Sequence, residues 1–125
     1  MSMPLSILHR YSYFDLWKAA GNYLVSPDGR YRVIDGLEFV AWDIIRAGVR
    51  VRWGIVPNDK AACAYWWRKD VVLAPWLWDA EPMAILYCLT HELGHCVMRR
   101  SCDHCICSWQ MGRYQSMFTP PAWAA

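Results

Sequence analysis

Ala80-Glu81-Pro82-Met83-Ala84-Ile85-Leu86-Tyr87-Cys88-Leu89-Thr90-His91-Glu92-Leu93-Gly94-His95-Cys96-Val97-Met98-Arg99 is the stretch on which the reading of this chain turns. Ile85, Leu86, Leu89, Leu93 and Val97 recur at helical spacing and predict a helix from about residue 80 to 99, anchored in a core along that stripe. Asp79 stands where an N-cap is expected, and Pro82 is tolerated in a first turn, where its missing N–H costs nothing. The same spacing puts His91 and His95 on one face, a single turn apart.

Outward from that helix the periodicity changes. Val49, Val51, Trp53 and Ile55 alternate with Arg50, Arg52 and Gly54, as in a half-buried strand. Pro57-Asn58-Asp59 closes it, and Ala62–Trp67 and Val71–Ala74 read as two more short strands. Upstream, Asp35 is expected to cap a helix running to about Ala47, which Gly48 stops. Ser26-Pro27-Asp28-Gly29 is a turn and Arg30–Ile34 a short strand. Residues Leu5–Leu24 read as a first helix with an aromatic stripe, and Ser101–Ala125 as irregular or weakly helical. The sum is an α+β fold: a small antiparallel or mixed sheet with helices packed on one face. All 125 residues fit one domain, with a helical extension over 1–30 and a Cys/His-containing tail over 101–125.

Hydrophobic residues are 56% of the chain, enough for a sizeable core. The net charge of +2 gives no argument for nucleic acid, and Arg46, Arg50 and Arg52 read as a solvated helix end and strand face. Val71–Thr90 is broken by Pro75, Asp79, Glu81 and Pro82, so no membrane span is expected. Without a visible leader the expected location is the cytoplasm, where the six cysteines stay reduced.

Two imidazoles one turn apart can grip a single cation, and zinc suits nitrogen donors in a tetrahedral shell. Glu92 follows the first of them and is placed to take a proton from a water that zinc acidifies, then to pass it to a leaving amine. Gly94 leaves space beside the helix that a larger side chain would fill. A catalytic zinc takes three protein ligands. No Glu follows Glu92, and the only later Asp is Asp103. His104 is the favoured third ligand because imidazole is a good zinc donor, and Asp103 is the alternative. His9 and a nearby Cys also remain open.

Cys102, Cys105 and Cys107 offer a different reading: a structural zinc site in a protein-interaction module without catalysis. Cys63, Cys88 and Cys96 fall on apolar segments and read as core. Tyr65, Trp66 and Trp67, with Trp76 and Trp78 nearby, could line an apolar substrate groove. Tyr65 or Tyr114 could donate to an oxyanion.

With strands followed by His91-Glu92-Leu93-Gly94-His95, the chain resembles the zincin metallopeptidases over roughly residues 35–99. It is most similar to the small intracellular ones, such as the ImmA/IrrE group and minimal single-domain zincins. The resemblance implies His91 and His95 as zinc ligands, Glu92 as general base, and residues 62–74 as the edge on which an extended protein or peptide substrate lies. Met98 and Ser101 stand where a metzincin would place its Gly and third His, and the downstream Glu of gluzincins is absent.

Overall fold

The computed structural model describes residues 22–118. Most of the first expected helix, and His9 with it, lies outside that span. Within it, Leu24 belongs to a strand rather than a helix. Strand β1 (Tyr23–Val25) pairs antiparallel with β2 (Tyr31–Val33) across the expected turn. Gly29 there has φ 87°, a left-handed value open to glycine, and Ser26 Oγ accepts the Arg30 N–H at 2.8 Å.

Helix α1 (Leu37–Ala47) follows. Its N-cap is Gly36 at φ 91°, not Asp35. The chain reverses through that positive φ, which leaves Asp35 one residue short of the cap. Gly48 ends the helix as expected, its N–H reaching the Ile44 and Ile45 carbonyls.

Strands β3 (Arg50–Trp53), β4 (Ala62–Tyr65) and β5 (Asp70–Leu73) form a mixed sheet in the order β3-β5-β4. β5 runs parallel to β3 and antiparallel to β4. All four residues of the central strand are buried, which explains why Val71, Val72 and Leu73 run without alternation. β3 keeps the alternation, with Val51 and Trp53 inside. Trp53 Nε1 donates to the Val25 carbonyl at 2.8 Å and ties the hairpin to the sheet. Arg52 pairs with Asp70 at 3.3 Å and Arg46 with Asp43 at 2.7 Å, so two of the three basic residues are neutralised locally.

Helix α2 (Pro82–Met98) packs across β4 and β5. Asp79 ends a preceding 3-10 turn, Pro75–Asp79, and Glu81 occupies the N-cap without a side-chain bond. Pro82, with its preset φ, starts the helix instead. Ile85, Leu86, Leu89 and Leu93 are buried as expected; Val97 is exposed. The tail is not irregular: Asp103–Phe118 is a helix, α3, packed against α2. Its buried line is Ile106, Gln110 and Tyr114. Spaced at i, i+4 and i+8, these include only one plain hydrocarbon, so the seam carries little apolar signal. No helix among the described residues is long and apolar enough to cross a membrane.

Candidate metal centre

The inward face of α2 carries His91, Glu92 and His95, whose donor atoms lie within 4.8 Å of one another. The two Nε2 atoms are 3.2 Å apart. Asp103, first residue of α3, brings Oδ1 to 3.2 Å from His91 Nε2 and 3.1 Å from His95 Nε2. Three donors thus form a nearly equilateral triangle. Zinc–ligand bonds of about 2.0–2.1 Å in a tetrahedron set neighbouring donors about 3.3–3.4 Å apart, so the triangle fits one such ion.

Proton accounting points the same way. His95 Nδ1 lies 2.6 Å from the Arg100 carbonyl, which can only accept, so the ring proton sits on Nδ1. In the neutral imidazole, Nε2 then turns a lone pair toward a carboxylate and a second imidazole. One His91 proton can bridge a single edge of that triangle; a cation satisfies all three corners. His91 Nδ1 is buried without a hydrogen-bond partner, and its ring is oriented by the stacked Tyr87 ring, 6.4 Å away at 15°.

The loop between the helices makes the meeting possible. Arg99 caps α2 in the left-handed region at φ 55°, which doubles the chain back. That conformation costs a non-glycine residue of order 1 kcal/mol or more, and such strain clusters at functional sites. The reversal places Arg100 over His95 and Asp103 over both rings. Gly94 completes the approach. A Cβ there would stand 2.7 Å from Ile106 Cγ2 and 2.8 Å from Trp109 Cε3. The space beside Gly94 is therefore filled by α3 rather than left open to the site.

Burial raises the Glu92 pKa above the ordinary carboxylate range, against the pull of His91 and His95; the Asp103 charge adds to the rise. Asp103 is shifted the opposite way, chiefly by its hydrogen bond to His91 and also by the charges of both histidines. A carboxylate that stays ionised beside one that holds protons more readily separates a donor from a base.

The cleft in front of these groups measures about 460 Å³. One wall is β4, whose Ala62, Cys63 and Ala64 face it, continued by Trp66 and Trp67; Pro57, Asn58, Lys60 and Ser101 line the rest. As the last strand in its sheet, β4 has one edge without a strand partner among the described residues.

Several sequence expectations change here. His104 is exposed and makes neither contact that Asp103 makes. A helix turns about 100° per residue, and here that one step leaves His104 exposed while Asp103 meets both rings. Cys102, Cys105 and Cys107 form no three-ligand group among the described residues; the group found there is His91, Glu92 and His95, and Asp103 Oδ1 adjoins its two imidazoles. Cys107 faces the Tyr87 hydroxyl at 4.0 Å instead. Cys63 lines the cleft, whereas Cys96 is core, its thiol pushed up to about 12 by burial. Tyr65 is not a lining residue; it packs edge-on against Trp67 at 5.7 Å. Trp78 is buried and Trp76 exposed, both away from the cleft lining. Tyr114 cannot serve an oxyanion, because its hydroxyl donates to Asp43 at 2.6 Å. Lys60, Asn58 and the Arg100 carbonyl escape sequence reasoning. Lys60 and Asn58 belong to no motif, and a backbone carbonyl has no sequence signature. Compared with protein-family models, curated proteins and solved structures, the chain matches none of them.

Proposed function

We propose that this protein is a zinc-dependent hydrolase, a peptidase of zincin type, with His91, His95 and Asp103 as the metal donors and Glu92 as general base. The observation that carries the reading is the triangle of two imidazole nitrogens and one carboxylate oxygen, 3.1–3.2 Å on each side, beside a buried glutamate. Zinc held there would acidify a bound water to a pKa of about 7. Glu92 would take a proton from the attacking water and give it to the leaving amine. Burial shifts its pKa upward, in the direction of a group that both accepts and gives a proton. The edge of β4 offers backbone N–H and C=O groups to an extended peptide, and the small Ala62 and Ala64 let a backbone approach closely. These features favour a protein or peptide substrate.

The deciding experiment is Glu92→Gln. Zinc stoichiometry should remain one per chain, while hydrolysis of an unstructured protein such as casein should fall by about 10²–10⁴. A variant that sheds its zinc, or one that still hydrolyses at the parent rate, would remove Glu92 from the role of base.

A further inference from the structure

Cys102-Asp103-His104-Cys105 brackets one proposed metal donor with two thiols that the hydrolytic reading leaves unused. The Cys102 carbonyl accepts the Ile106 N–H at 3.2 Å, so Cys102 is the N-cap of α3 and Cys105 its third helical residue. That third position is the one an N-cap side chain reaches. Helical rise and radius put Cα atoms three residues apart at about 5 Å, inside the window of about 4.4–6.8 Å that a disulfide spans. Cys102 is exposed and Cys105 half-buried, so a small oxidant can reach the pair, whereas Cys96 is buried. Cys107 is directed toward Tyr87 and does not compete.

We propose that Cys102 and Cys105 form a dithiol that oxidises to an intramolecular disulfide, and that this oxidation weakens zinc binding at the adjacent centre. The second half rests on the metal reading above. The oxidant is a low-molecular-weight disulfide such as oxidised glutathione. One cysteine sulfur attacks it, breaking the glutathione S–S bond and releasing one glutathione thiol. The other cysteine then attacks the resulting mixed disulfide at the protein sulfur and releases the second. Two electrons leave the cysteine pair, both thiol protons end on glutathione, and one S–S bond replaces another.

Two contacts transmit the change. Asp103 lies between the bridged residues, so the new S–S bond fixes both flanking side chains and constrains the turn that sets its carboxylate against the imidazoles. Arg100 donates toward Cys105 Sγ at 3.9 Å while its carbonyl holds His95 Nδ1, so losing the first contact disturbs the second.

The test uses the full chain equilibrated in reduced or oxidised glutathione. Free thiols are blocked with N-ethylmaleimide and the peptides mapped by mass spectrometry; zinc affinity is read by competition with a chromophoric chelator. The expected result is a Cys102–Cys105 disulfide with the other four cysteines alkylated, and zinc bound at least about tenfold more weakly than in the reduced chain. The Cys102→Ser/Cys105→Ser chain keeps an N-cap hydroxyl at 102 and an acceptor for Arg100 at 105, cannot form the disulfide, and should bind zinc as the reduced parent does in both buffers. Full alkylation of both cysteines under oxidising conditions overturns the dithiol. A disulfide with unchanged zinc affinity overturns the switch, and loss of zinc from the double-serine chain overturns it by making the thiols ligands. A reduced chain that binds no zinc overturns the metal reading and the switch together, while the peptide map still decides the dithiol.

Discussion

At the residue scale, the choice between Asp103 and His104 shows what donor chemistry can and cannot decide. Imidazole is the more usual zinc ligand, which favours His104 on paper. One residue of helical rotation reverses that preference, because the first residue of α3 meets both rings and the second faces solvent. Asp103→Ala should therefore lower zinc affinity by about 100-fold or more, and His104→Ala should leave it within about twofold, as measured by chelator competition. Equal losses in the two variants would dismiss the triangle. His91, Glu92 and His95 were legible from spacing alone, since a single helix fixes their relation. Arg100 was not legible: its contribution to the site is a carbonyl, available to every residue type, placed by the left-handed turn at Arg99.

At the element scale, two helices meet at Gly94. Sequence reading gives that residue a role beside the site, but its neighbours are Ile106 and Trp109 of α3. Gly94→Ala should cost about 1–3 kcal/mol in chemical denaturation, because the new methyl must displace a ring and a branched side chain. It should also weaken zinc binding, since the helix that yields carries Asp103. A variant as stable as the parent, with unchanged zinc affinity, would mean that α3 can shift without consequence. A buried polar bridge reinforces the same seam: Gln110 donates to Thr90 Oγ1 at 2.6 Å and to the Tyr87 carbonyl at 2.9 Å, one turn from His91. Polar pairs of this kind hide a buried face from any reading based on apolar periodicity. That is why Ser101–Ala125 looks irregular in sequence although Asp103–Phe118 is helix.

At the scale of the molecule, α3 is fastened at both ends. Its N-terminus meets the histidines, and its far end is clamped to α1 by Asp43. That carboxylate accepts from Tyr114 at 2.6 Å, from Arg113 at 3.0 and 3.3 Å, and from Arg46 at 2.7 Å. Burial works against the charged form, but the three donors more than offset it and hold the Asp43 pKa below its ordinary value. A depressed pKa means that the clamp contributes fully above the unfolded value of about 3.9, and that the contribution is lost as pH falls through the folded value. Asp43→Asn should cost about 1.5–3 kcal/mol at pH 7, and the gap between parent and variant should close toward about pH 2. A gap that persists undiminished in acid would assign the loss to packing rather than charge. The sequence by itself determined the helix under His91 and His95, the three strands of the mixed sheet except the end of β4, where Trp66 and Trp67 pass into a 3-10 turn, and the helix stop at Gly48, because each depends on neighbours a few residues away. Strand order, the N-terminal register of α3 and the meeting of Asp103 with the two histidines were decided only by tertiary packing. They depend on which surfaces meet across the core, and no local pattern records that.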